Sequence, residues 1–373
     1  MNIIDEFKDV VLNPYRYAAK LKADEGKKII GYFCTYAPEE LIFAAGAHPM
    51  RLFGTNENIH LADSHLQTYS CSLVRGALEE ALNGNLDFLD GTVFPHTCDS
   101  IQRLSDIWRM NTSFSFFSDV IMPVKLNTES AREYMRDVIE KFRNDLESGL
   151  SVSVSNDQIA EANDIYNKNR GYLKEIYRLK SEDPFCISSV DTYYIIKGAM
   201  IMERRELLKK LPLVIDYIKS GKAAKPASDK SRLILAGSIC NHPDIYNIIE
   251  ESGGVVVWDD LCTGSRYFEG EISSQGDPAK ALADRYSSRD ICPAKHISNT
   301  SRGDNLAALS ADCKARGVIF MYLKFCDPHS WDYPYMKGIL ADKGVANMLL
   351  EVEDKLPPYG QLKTRFEAFM EML

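Results

Sequence analysis

Six cysteines carry most of the chemistry legible in this 373-residue chain. They are Cys34 in GYFCTYAPEE, Cys71 in TYSCSLVRG, Cys98 in FPHTCDS, Cys262 in WDDLCTGSR, Cys292 in DICPAKH and Cys326 in LKFCDPHSWDYP. Each stands at an expected strand end or a small-residue turn, where sulfurs distant in sequence can converge in space. Thiolate is the soft ligand that selects zinc or iron–sulfur clusters. Structural zinc sites show closely spaced pairs, and thioredoxin-type chemistry also needs C-x-x-C. That spacing is absent, which disfavours both. Scattered single cysteines at loop positions suit a cluster held in a cleft. The remaining three, Cys186, Cys240 and Cys313, read as small packed hydrophobes.

Those sulfurs need a frame, and the pattern of the chain supplies one. KKIIGYFC, MRLFG, DGTVFPHTC and SFFSDVIMPV read as strands in the first half. PEELIFAAGA, QTYSCSLVRGALEEAL and DSIQRLSDIWRM read as the helices between them. Residues 128–220 are expected to be almost entirely helical, with TESAREYMRDVIEKFRNDLESGL the clearest amphipathic stretch. GKAAKPASDKS is the linker candidate. Beyond it RLILAGSI, VVVWDDLC, GVIFMYLKFC and MLLEVED read as strands. Their helices are PDIYNIIEESG, PAKALADRYSSR, DYPYMKGILADKG and QLKTRFEAFMEML. Alternation of this kind predicts parallel sheets. The expected units are an N-terminal α/β domain over 1–127, a helical segment over 128–220 and a C-terminal α/β domain over 231–373. GTVFPHTCDS and GVIFMYLKFCDPHS share a glycine, an apolar strand and Cys-Asp, so the halves read as distant echoes. Ligands of such sheets bind outside the carboxyl ends of the strands, where Cys34, Cys98, Cys262 and Cys326 fall.

Composition narrows the function. A net charge of −9 with no basic stripe excludes a nucleic-acid binder. No apolar run reaches the roughly 18 residues of a membrane span. MNIIDEFKDVVLNP lacks the charged-then-apolar order of a signal peptide, so a cytoplasmic protein with reduced thiols is expected. There is no GxxxxGK[ST] phosphate loop and no convincing GxGxxG. Any nucleotide hydrolysis belongs on a partner.

Several separated motifs in order, GYFCTYAPEELIFAAGAHPMRLFG, FPHTCDS, WDDLCTGSRYF and KFCDPHSWDYP, resemble the 2-hydroxyacyl-CoA dehydratase family. That family includes ATP-dependent benzoyl-CoA reductases and double-cubane cluster proteins. The resemblance runs over nearly the whole chain. It implies two flavodoxin-like, doubly wound α/β domains with a helical insertion and an iron–sulfur cluster at their interface. It also implies an enzyme, an oxidoreductase or a lyase, fed single electrons by a separate ATP-dependent iron–sulfur activator. The expected substrate is a small molecule or acyl-CoA, and the expected assembly a homodimer or a heterodimer with a related subunit. A single [4Fe–4S] cluster implies Cys71, Cys98 and Cys326 as ligands. An [8Fe-9S] double cubane uses Cys34, Cys262 and Cys292 as well. A lone [4Fe–4S] cluster takes at most four thiolates, so six cysteines placed as in the family favour the double cubane. The echoing halves suggest dividing them as Cys34, Cys71 and Cys98 against Cys262, Cys292 and Cys326. The CDPHSWDYP segment looks closer to the acyl-CoA enzymes. A non-catalytic electron relay or structural subunit is the third reading.

Other residues flank these cysteines. Glu39 and Glu40 open a helix, as first-turn carboxylates complementing its dipole or as a proton donor, Glu39 being the candidate catalytic residue. His329, with His96 and His296, could deliver protons or tune a cluster through hydrogen bonds. Lys295 and Lys324 could favour added electrons. Asp99 and Asp327 are expected as N-caps of the helices after their cysteines.

Overall fold

The computed structural model describes residues 2–55, 57–226, 229–290, 292–353 and 355–373. Four strands form the first sheet: β1 (Ile29–Tyr32), β2 (His48–Arg51), β3 (Gly91–Pro95) and β4 (Phe116–Val120). Four more form the second: β5 (Ser231–Gly237), β6 (Gly254–Asp260), β7 (Gly317–Leu323) and β8 (Ala346–Val352). All pairings are parallel, in the orders β2-β1-β3-β4 and β6-β5-β7-β8. Both sheets thus place their second, first, third and fourth strands in the same sequence. The expected pair of doubly wound parallel-sheet units is present, and the echo between the halves extends to topology.

The central strands show why the apolar runs fold this way. Every residue of β1, β3 and β7 is buried, as required when helices cover both faces of a parallel sheet. Phe33, Phe94 and Trp108 pack as one aromatic knot, with ring centroids 5.0–5.6 Å apart. Between the sheets run four helices, Glu129–Leu150, Asn156–Glu182, Ser189–Ala199 and Arg204–Lys219, in the region expected to be helical. The largest apolar cluster runs from Phe7 through Leu86 and Leu207 to Leu233 and Leu350, so both sheets share buried surface. Ala227 and Ser228 of the expected linker lie outside the described residues.

Some elements differ from expectation. Helices Ile3–Leu12, Pro14–Glu25 and Ser301–Asp312 were not expected from the sequence pattern. The first two are short and strongly charged, and the first is fixed by packing, with Phe7 seated against Gly198. The helix at QTYSCSLVRGALEEAL begins only at Ser72. The helix over DYPYMKGILADKG begins earlier, at Asp327. Asp99 and Asp327 are therefore first helical residues rather than caps; the cap positions belong to Cys98 and Cys326.

Candidate functional site

The six cysteines expected as ligands meet where the carboxyl ends of the two sheets face one another. Three of them, Cys71, Cys98 and Cys326, occupy the same local position, the N-cap of a helix. They also line a cleft of about 470 Å³ together with His296, Arg302 and Trp331. None makes a capping hydrogen bond of regular geometry. Even so, backbone N–H groups of the following turn, from Leu73 and Val74, Ile101 and His329, favour the corresponding thiolates. A helix N-terminus supplies that positive field.

Burial pulls the other way and prevails. It raises Cys71. It pushes Cys98 up to about 12, with the neighbouring Cys71, Cys34 and Cys292 adding to the rise. Cys326 is driven well up by burial, then by Cys71, Cys98 and Cys262. Cys292 reaches about 12 through burial, then Cys262 and Cys34, with Arg266 and Arg302 opposing. The cleft lining sets Cys71, Cys98 and Cys326 apart as an outer group from Cys34, Cys262 and Cys292 as an inner one, while the mutual effects run across both, from Cys34 and Cys292 to Cys98 and from Cys262 to Cys326. Each group draws on both halves of the chain. The echoing halves suggest a division within each half; the cleft instead brings Cys326 of the second half beside Cys71 and Cys98 of the first.

The inner group is held by a stapled loop and ringed with cations. Buried Asp259 accepts from the Ser265 amide at 2.7 Å and from the Tyr177 hydroxyl at 2.5 Å. Gly264 is required there, because a Cβ would stand 1.8 Å from the Asp259 carboxylate. Arg51 crosses from β2 to donate to the Cys262 carbonyl at 2.6 Å. Arg289 donates to the carbonyls of Thr35 at 3.1 Å and Arg266 at 2.5 Å. Lys295 is fully buried; its Nζ donates to the Met122 carbonyl at 2.8 Å, and Cys34 and Cys292 lie near enough to favour its charge. Arg51 Nε and Nη2 and Arg289 Nε are buried without a hydrogen-bond partner. Cys34 and Phe325 have φ of +62° and +65°, a conformation that costs a non-glycine residue free energy and clusters at functional sites.

Arg266 stands between the groups. Asp260 holds its Nε and Nη2 in a fork at 2.6 and 2.8 Å, leaving Nη1 3.4 Å from Cys262 Sγ and 3.1 Å from His329 Nε2. His329 is buried, with Nδ1 3.2 Å from Cys326 Sγ. Burial, then Arg266 and Arg302, hold its pKa well below the usual histidine value, so the ring is neutral at pH 7.

The other expected residues lie elsewhere. Glu39 sits in a buried network: its Oε2 accepts from Tyr32 and Tyr166 hydroxyls at 3.2 and 3.1 Å and from Arg204 at 2.6 Å. It does not line the cleft. Glu40 is buried against Arg170, Arg285 and Tyr286. Burial alone would raise its pKa, but the two guanidiniums outweigh it and hold the carboxyl below its ordinary value. His96 pairs with Asp119 at 3.0 Å. Lys324 reaches out to Glu353 at 2.6 Å. Sequence reasoning passed over Arg51, Arg266, Arg289 and Arg302. Only Arg266 offered a signal, as the arginine four residues after Cys262.

Among the described residues, no three or more His, Cys, Asp or Glu side chains stand as they would around a metal ion. The thiols are gathered but not closed on one centre. As a donor set they fit an iron–sulfur cluster. They are soft and unbridged, and the buried cations and unpaired guanidinium nitrogens beside them suit an anionic group made with thiolates.

This geometry defines a two-sheet α/β protein with a cysteine-lined interface. A family model described as 2-hydroxyglutaryl-CoA dehydratase, D-component, matches residues 34–373, and the chain belongs to that family. It is 30% identical to the (R)-phenyllactyl-CoA dehydratase beta subunit of Clostridium sporogenes, covering 99% of this chain and 98% of that protein. It is 29% identical to one subunit of the benzoyl-CoA reductase of Thauera aromatica, over 86% and 83% of the two chains. With the beta subunit of (R)-2-hydroxyglutaryl-CoA dehydratase from Acidaminococcus fermentans the identity is 27%, over 100% and 99%. These relatives are subunits of dehydratases and of a reductase, so the family is one of lyases and oxidoreductases. No helix among the described residues is long and apolar enough to cross a membrane.

Proposed function

We propose that this chain is the electron-accepting iron–sulfur subunit of a two-component dehydratase or reductase acting on a small acyl-CoA-type substrate. An ATP-dependent iron–sulfur activator serves it. The observation that carries this reading is the convergence of six free thiols, from both sheets, into two adjacent groups of three. Two three-thiolate groups side by side suit a double-cubane [8Fe-9S] cluster held by Cys34, Cys71, Cys98, Cys262, Cys292 and Cys326. When bound, such a cluster supplies single electrons at low potential. The relatives are named as subunits of larger enzymes, two of them as beta subunits, which supports a different companion chain over a homodimer. Nine free cysteines among the described residues suit a reducing, cytoplasmic compartment.

The chain's own residues do the rest. Cys71, Cys98 and Cys326 face the cleft, the place where a substrate would approach. Arg51, Arg266 and Lys295 put positive charge beside the inner sulfurs and favour added electrons there. His329 offers a neutral N–H to the sulfurs rather than a titrating proton. Among the residues expected to supply protons, His329 lies beside Cys326, and Glu39 lies in a buried network away from the cleft.

A second reading has one specific observation behind it. Only Cys71, Cys98 and Cys326 of the six line the cleft, and a single [4Fe–4S] cluster could rest on these alone. Anaerobic iron and sulfide determination separates the two, with about eight irons per chain for the double cubane and about four for the single cluster. Cys262→Ser sharpens it: unchanged iron content in that variant would defeat the double-cubane assignment.

A further inference from the structure

We propose that Arg266 is a positioning residue that couples the two thiol groups: it fixes His329 as the tautomer whose Nδ1–H donates to Cys326 Sγ while its own Nη1 addresses Cys262 Sγ. Asp260 stands at the end of β6. Its two oxygens take Nε and Nη2 of Arg266 in a fork, which fixes the guanidinium plane and aims Nη1 away from the carboxylate. Nη1 then has two neighbours, Cys262 Sγ at 3.4 Å and His329 Nε2 at 3.1 Å. A guanidinium has no acceptor, so Nη1 can only donate, and Nε2 must accept. In a neutral imidazole the proton then resides on Nδ1, which lies 3.2 Å from Cys326 Sγ.

The consequence spans both groups. Cys262 belongs to the inner sulfurs and Cys326 to the outer, and one side chain governs a donor to each. Donors to thiolate sulfur stabilise added negative charge and raise a cluster's potential. Arg266 and His329 are both buried, where such donors are least screened by water. The Gly237 carbonyl also lies beside the ring and is the acceptor that competes for its proton. Donation to it from Nε2 would set that N–H against the Arg266 N–H.

The tautomer part stands on the protein alone; the effect on potential rests on the iron–sulfur reading. The experiment therefore has three readouts on the full chain. Selective ¹⁵N-histidine spectra of the metal-free protein report the His329 tautomer. Iron content and an EPR-monitored redox titration are measured on anaerobically loaded protein. Arg266→Lys keeps a charge opposite Asp260 but lacks the fork. The double variant Asp260→Asn/Arg266→Gln removes both charges together, so that neither remains buried alone should the single variant fail to fold. The expected result is the Nδ1–H form in the parent protein and a populated Nε2–H form in the variants, with iron content kept and the midpoint potential lowered. An Nε2–H form in the parent, or an unaltered tautomer and potential in folded variants, overturns the proposal. Absence of iron from the loaded parent would defeat the cluster reading instead, leaving the tautomer result to decide the Arg266–His329 relation.

Discussion

The two groups of sulfurs use different physics to hold the same kind of side chain. Cys71, Cys98 and Cys326 stand on helix N-termini in an open cleft. Their positive field is made of backbone amides, and the cleft they line opens to solvent. Cys34, Cys262 and Cys292 lie on irregular loops, and their positive field is made of side chains: Arg51, Arg266, Arg302 and Lys295. A helix terminus is self-supporting, because the fold that makes the helix also makes the donors. A ring of buried cations is not, since each must be matched elsewhere, as Asp260 matches Arg266. The open group is thus suited to exchange with a ligand, and the enclosed group to storing charge.

The largest effect expected from breaking this comparison is on iron content. Cys98→Ser or Cys326→Ser should strip most of the iron and brown colour from anaerobically purified protein, read by metal analysis and absorbance. Full iron content in either would remove that residue from the ligand set. Asp259→Ala should act on the inner group alone. It frees the Cys262 loop from its staple, so the same analysis should find about half of the iron of a double cubane retained. Loss of all iron would mean the two groups load as a unit.

A stability control separates the site from its scaffold. Glu40→Ala leaves Arg170 and Arg285 buried without their carboxylate, which costs about 3–5 kcal/mol in urea denaturation. If Glu40 is only scaffold, folded Glu40→Ala retains the midpoint potential of the parent.

A smaller effect concerns pH. Burial raises the Asp259 pKa from 3.8 to about 6. Between those values the folded protein holds a proton that the unfolded chain has released. The folded state therefore gains least from Asp259 above pH 6, and its stability falls as pH rises from 4 to 6. The change is on the order of 3 kcal/mol. Urea midpoints of the metal-free protein across that window should show this slope. It should be absent in Asp259→Asn, and a slope unchanged by the substitution would reassign it to other groups.

The fold was legible because its signals are local. Alternating apolar runs and helical stretches determined the parallel sheets, and all eight expected strands are present with shifted ends. The cysteines were legible by type and by their place at strand ends. Helices 3–12 and 14–25 were missed although they carry local signals, an Asn2–Asp5 capping box for the first and Pro14 with a left-handed Gly26 for the second. The capping Cys71 was hidden because a cysteine gives no conventional start signal. The buried arginines were missed for another reason: in sequence an arginine reads as a solvated charge, and only its neighbours reveal it as enclosed.

What the sequence determined by itself is the set of six sulfurs and the two-sheet frame, since both follow from residue type and short-range periodicity. How the sulfurs divide was decided only in three dimensions. Opposed sheets bring Cys326 to Cys71 and Cys98, and Cys34 to Cys262 and Cys292, against the order of the chain. The tautomer of His329 is likewise a tertiary property. It depends on a guanidinium 63 residues away, oriented by the carboxylate that ends β6.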